Sequence, residues 1–161
     1  MKTPKFIEKL PIIRYCLQSF YGIEFMSATS SLEQKLLKSA QSAMQKAYAP
    51  YSNFSVGAAI IDENNQIHSG CNVENSAYPL GVCAEASAIS SMVLSGGKKI
   101  KKILLVSSGH LLTTPCGGCR QKINEFADDD TEILIYHDQQ IKSFSISELL
   151  PFSFGKQNLQ E

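Results

Sequence analysis

Two short runs in this 161-residue chain carry the residue types that bind metals and move protons: Cys83-Ala84-Glu85 and Pro115-Cys116-Gly117-Gly118-Cys119. Cys116 and Cys119 are spaced i, i+3, so a helix opening there presents both sulfurs on one face. Cys83 opens a second helical pattern. The free N–H groups and positive end of a helix favour thiolate over thiol, so both helix starts can aim at one cation. Three thiolates leave the fourth tetrahedral position of a zinc ion open, as in a catalytic site, where a structural site closes it with a fourth ligand. Water fills such a position. Glu85 lies two residues beyond Cys83, near enough to touch that water. A hard carboxylate among soft sulfurs is better used as a base than as a ligand.

Taken singly, both runs have plainer readings. A lone C-x-x-C is equally a redox pair or half of a closed zinc knot. A Glu following a buried Cys is most often a solvated helix residue. The pairing of the two runs, each at a helix start after a strand, favours the open zinc site. The rival from another class is a non-catalytic, zinc-stabilised interaction protein in which Glu85 or one of His68, His110 and His137 closes the metal. None of these histidines is otherwise given a role. Cys16 and Cys71 have no ligand partner at suitable spacing and read as small, partly buried residues.

The elements that must position these residues follow from the hydrophobic pattern. Ser31 and Gln34 form a capping box ahead of Leu32, Leu36, Ala40, Ala43 and Ala47 at helical spacing, and this helix must end before Pro50. Val56 to Ile61 and Ile67 to Asn72 are short, strand-like runs separated by the turn-rich Asp62-Glu63-Asn64-Asn65, and they read as a hairpin. Cys83 starts a helix through Ala88, Ile89 and Met92 that closes at Gly96-Gly97, where glycine takes a left-handed cap. Ile103 to Val106 reads as a buried strand, and Pro115 marks the start of a third helix. Ile133 to Tyr136 and Ile141 to Phe144 are further strands, followed by a helical turn at Ser147-Glu148-Leu149-Leu150 that Pro151 stops. This order predicts an α/β fold, a three-layer α/β/α sandwich with one mixed sheet of about five strands.

The chain is long enough for one core and short for two. An orderly pattern begins near residue 30, so residues 30–161 are expected to form the catalytic domain and 1–29 an N-terminal extension. That extension reads either as an irregular arm or as a start assigned too early, with Met26 the true first residue. Its Lys2, Lys5, Lys9 and Arg14 are not followed by a continuous apolar core or a small-residue cleavage site, so no secretory signal is expected. Lys plus Arg equals Asp plus Glu at 15 each, which disfavours a polymeric nucleic acid partner. No apolar run reaches the roughly 18 residues of a membrane span. Five cysteines, three of them in metal-type runs, point to a reducing, cytoplasmic setting.

Beyond these runs, the stretch from about Leu32 to Gly155 closely resembles the homotetrameric, three-cysteine cytidine deaminase family. The resemblance is carried by Tyr51-Ser52-Asn53-Phe54, Val56-Gly57-Ala58-Ala59, Asn72-Val73-Glu74-Asn75, Cys83-Ala84-Glu85 and Pro115-Cys116-Gly117-Gly118-Cys119-Arg120-Gln121. It implies a cytidine deaminase-like fold with one zinc per subunit on Cys83, Cys116 and Cys119, and Glu85 as proton shuttle. It implies hydrolytic release of ammonia from cytidine and deoxycytidine, in pyrimidine salvage. It further implies that Phe54 packs on the pyrimidine, that Asn72 and Glu74 bond the ribose hydroxyl, and that Tyr78 and Phe154 approach a neighbouring subunit's site in a homotetramer. Deamination of another small aminopyrimidine nucleoside is the nearest alternative.

One departure from the family pattern is informative. The motif usually continues C-A-E-R, with an arginine that resembles a donor to the sulfurs, whereas Ala86 follows Glu85 here. Ala86 cannot donate. Three thiolates leave a divalent ion one negative charge in excess, which opposes ionisation of its water, and two helix ends offset only part of it. Arg120 or another residue is expected to supply the rest.

Overall fold

The computed structural model describes residues 31–159; the N-terminal extension, with Cys16 and Met26, lies outside the described residues. Helix α1 (Ser31–Met44) buries Leu36, Ala40 and Ala43, the stripe expected from the sequence, and Ala47 falls in the turn that follows. Strands β1 (Val56–Asp62) and β2 (Ile67–Cys71) form the expected antiparallel hairpin, closed at the Ile61–Ile67 pair. The Asp62 carboxylate accepts the amides of Asn64 at 2.9 Å and Gln66 at 2.8 Å, which fixes the turn. β2 stops one residue short of Asn72, whose side chain bonds elsewhere, as described below.

Next come a 3₁₀ turn (Tyr78–Leu80), helix α2 (Ala84–Leu94), strand β3 (Ile100–Ser107), helix α3 (Gly117–Phe126), and strands β4 (Glu132–His137) and β5 (Gln140–Phe144). Gly96 takes the left-handed φ of +93° expected after α2. A short last helix, α4 (Ile146–Leu149), is capped by Ser145, which exchanges hydrogen bonds with Glu148. The sheet order is β2-β1-β3-β4-β5, and only the β3–β4 pair is parallel.

Alternation along the central strands makes three layers. Ala59, Ile61, Leu104, Val106 and Leu134 face Leu36 and Ala40 of α1. Ala58, Ile60, Ile103, Leu105, Ile133 and Ile135 face Ala84, Ala88 and Met92 of α2 and Ile123 of α3. Because both faces are covered, β1 is buried from Gly57 to Asp62 without a polar side. The second face holds the chemistry. Gly70 of β2 sits so close beneath α2 that a Cβ there would fall 2.3 Å from the Ala88 nitrogen. That contact seats the first turns of α2 on the hairpin and thereby sets the height of Cys83 and Glu85 above the sheet. No described helix is long and apolar enough to cross a membrane.

Candidate metal centre and active site

Cys83 and Cys116 are the N-cap residues of α2 and α3, each in extended backbone, and Cys119 lies in the first turn of α3. Their sulfurs all lie within 4.8 Å of one another. A tetrahedral zinc with sulfurs at about 2.3 Å requires about 3.8 Å between them, so the three thiols can share an ion. No other described His, Cys, Asp or Glu joins the group. His68 is instead paired with Asp62 at 2.9 Å in the hairpin, and His137 with Asp138 at 3.2 Å. Closure of the metal by a histidine therefore has no support among the described residues.

The donor set itself fits a cation. Burial pushes the thiols of Cys83 and Cys119 up, and the neighbouring Glu85 charge adds to the shift in both. Burial also acts to raise Cys116, but the Cys119 amide and the thiols of Cys119 and Cys83 bond to it, and together they hold it below the ordinary range. Of the three thiols, Cys116 is thus the one whose surroundings most favour ionisation. A divalent ion relieves the repulsion that prevents all three from ionising.

Glu85 follows in the first turn of α2 and is 5% exposed. Its carboxylate makes no hydrogen bond or ion pair to any described residue. It opens on a cavity of about 420 Å³ that Cys83 and Cys116 also line, together with Phe54, Asn72 and Glu74. That volume is in the range of small-ligand sites. A carboxylate open to the cavity with its lone pairs uncommitted, beside a three-thiol cage, can take a proton from a water and return it.

Asn72 and Glu74 reach the cavity from beyond the end of β2, and both also brace its wall. Asn72 accepts the Val56 amide at 2.8 Å and donates to the Phe54 carbonyl at 2.8 Å. Glu74 accepts from the amides of Tyr51 at 2.9 Å and Ser52 at 3.3 Å and from the Ser52 hydroxyl. The Ser52 hydroxyl and the Tyr51 amide, ahead of a smaller opposing effect of burial, hold the Glu74 carboxyl below its usual range. Tyr78 and Phe154 are not brought to this cavity. Tyr78 lies against Tyr51 with ring centroids 6.0 Å apart, in an adjoining hollow of about 330 Å³. Phe154 is exposed, and its carbonyl accepts from Gln121 at 2.9 Å and Asn124 at 3.3 Å.

Arg120 does not replace the missing arginine. Its Nε donates to the Pro115 carbonyl at 2.8 Å, Nη1 to the Leu149 carbonyl at 2.8 Å and Nη2 to the Thr114 hydroxyl at 3.0 Å. None of its hydrogen bonds goes to a sulfur. It braces the loop that delivers Cys116, tying it to the end of α4. The sequence reading also missed Thr113 and Thr114, which line the cavity. Their only signal was two hydroxyls immediately before Pro115.

A three-layer α/β/α fold whose helix N-termini gather three thiols, two of them lining one ligand-sized cavity, fits a single-zinc protein of the nucleoside-deaminase type. The chain belongs to the family described as the cytidine and deoxycytidylate deaminase zinc-binding region, whose model matches residues 30–135. A cytidine deaminase of Mycoplasma genitalium is 43% identical over 123 residues, covering 75% of this chain and 94% of that one. A cytidine deaminase of Sporosarcina psychrophila is 37% identical over 127 residues, covering 78% and 93%. The crystal structure of cytidine deaminase from Burkholderia pseudomallei matches with a TM-score of 0.71 at 36% identity, covering 78% of this chain and all of that one.

Proposed function

We propose that the chain catalyses zinc-dependent hydrolytic deamination of cytidine and deoxycytidine, releasing ammonia and leaving uridine or deoxyuridine. The observation that carries this reading is the uncommitted carboxylate of Glu85, a largely buried residue, facing a cavity beside three thiols. The similarity to cytidine deaminases over most of both chains names the substrate class.

Cys83, Cys116 and Cys119 would hold the zinc, which when bound would supply a Lewis acid that lowers the pKa of water towards neutrality. Glu85 does the proton work. Its carboxylate takes a proton from the attacking water and passes it to ring N3, which makes C4 electrophilic. The water oxygen bonds to C4, and the same carboxylate carries the second proton to the departing amino group. One water is consumed and one ammonia released, with no change in oxidation state. Phe54 packs against the pyrimidine. Asn72 and Glu74 each keep hydrogen-bonding capacity beyond their bonds to the 51–56 segment, enough to engage a ribose hydroxyl. Neutral net charge suits a free nucleoside better than a polymer.

Tyr78 and Phe154, exposed and outside the cavity, suit residues that complete a neighbouring subunit's site in a homotetramer. A cytoplasmic role in pyrimidine salvage accompanies this reading. Mixing the zinc-loaded protein with cytidine tests it: ammonia should appear as cytidine absorbance falls. No release from cytidine, deoxycytidine or deoxycytidine monophosphate by fully zinc-loaded protein would leave a non-catalytic zinc protein instead.

A further inference from the structure

Gly109, two residues past the end of β3, has an ordinary backbone: among the described glycines only Gly96 has a positive φ. Conformation therefore does not require a glycine at 109. Space does. A Cβ there would fall 2.6 Å from Cε2 and 3.1 Å from Cζ of the Phe54 ring, with the Thr113 hydroxyl next at 3.6 Å. The first distance is far inside van der Waals contact, and both atoms belong to the ring edge.

Neither backbone can easily withdraw. The Ser55 amide donates to the Ser108 hydroxyl at 3.0 Å, and the Ser108 amide donates to the Ser55 carbonyl at 2.9 Å. On the Phe54 side, its amide donates to the Ser52 hydroxyl at 3.0 Å and its carbonyl accepts from Asn72 at 2.8 Å. The two segments are thus strapped directly to each other, with the edge of the Phe54 ring against Gly109. The ring is the part free to move, and it lines the cavity that holds Glu85.

We propose that Gly109 is a positioning residue for substrate binding: the missing side chain at 109 makes the slot in which the Phe54 ring is held against the bound pyrimidine. This rests on the reading of Phe54 as the surface that packs on the base. A methyl group at 109 displaces the ring without touching the thiols or Glu85. Binding common to the ground and transition states is lost, so KM rises while kcat holds.

The test is a double-mutant cycle of Gly109→Ala and Phe54→Ala, with KM, kcat and zinc content measured for all four proteins. Gly109→Ala alone should raise KM for cytidine roughly tenfold, with kcat within about twofold and zinc unchanged. Added to Phe54→Ala, which removes the ring, it should have no further effect. An equal rise in both backgrounds, or no rise in the single variant while Phe54→Ala raises KM, overturns the role of Gly109. If Phe54→Ala itself leaves KM unchanged, the underlying reading of Phe54 fails instead.

Discussion

Arg120 donates its Nε–H to the carbonyl of Pro115 at 2.8 Å, clamping the residue that precedes Cys116, one of the three thiols that could share a metal ion. Two further bonds from the same guanidinium, to Leu149 and Thr114, make a three-point brace across α3, α4 and the loop. The chain thus lacks an arginine after Glu85 but holds the sulfur loop in place through Arg120.

Replacing Arg120 should consequently act through the loop and leave the sulfurs' direct partners intact. Arg120→Ala is expected to cost about 2 kcal/mol of folding stability, as charge-assisted bonds to carbonyls are lost. Zinc affinity should fall roughly tenfold, in the range of removed supporting contacts. Arg120→Lys should not restore either, because one ammonium cannot span the three acceptors. Denaturant unfolding and chelator competition measure both; unaltered values for Arg120→Ala would rule out the brace.

Asp62 gives the fold an acid-sensitive point remote from the three thiols. It is 1% exposed and bonded to His68 at 2.9 Å. Burial alone would raise its carboxyl, but bonds from His68 and the amides of Gln66 and Asn64, with the His68 charge, outweigh burial and lower it. A carboxyl lowered on folding contributes stability that is complete above its unfolded pKa of about 3.9 and is lost as pH falls through the folded value. Unfolding free energy of the parent chain should therefore drop more steeply below about pH 4 than that of Asp62→Asn. Identical slopes would refute the assignment.

Metal removal should expose the cage chemically as well as thermally. In zinc-loaded protein Cys83, Cys116 and Cys119 are shielded, so a chelator should increase the number of titratable thiols by three. Protein saturated at a thousandfold excess of zinc over Kd should be about 4 kcal/mol more stable than the stripped form. A chelator that changes neither the thiol count nor the melting temperature would contradict the site.

Tyr78 and Phe154 allow a test of assembly. If they complete a partner's site, Phe154→Ala should reduce turnover although Phe154 lies outside its own chain's cavity. Mixing Phe154→Ala with inactive Glu85→Gln subunits should then restore part of the activity. Failure of the mixture to exceed the sum of its parts would place Phe154 outside a partner's site.

The sequence made the metal cage legible because its ligands come in two local runs: Cys116 and Cys119 sit one turn apart, and Cys83 opens its own helix. The sandwich was legible for a similar reason. Ala58–Ile61 and Ile103–Val106 are continuous apolar runs, which only a strand covered on both faces can bury. What escaped were bonds between distant segments. Nothing local to Asn72 says that its carboxamide straps Phe54 to Val56, nor to Arg120 that its guanidinium meets Leu149. Gly109 was invisible because its backbone is ordinary, and its significance lies in a ring 55 positions earlier in the chain.

The central claim is that Glu85 moves protons and does not hold the metal, and one variant separates the two roles. Zinc content and cytidine turnover should be measured on the same preparation of Glu85→Gln. One zinc per chain with turnover reduced by roughly 10²-fold to 10⁴-fold is the expected result. Turnover near that of the parent chain with zinc in place, or loss of the zinc itself, would contradict it.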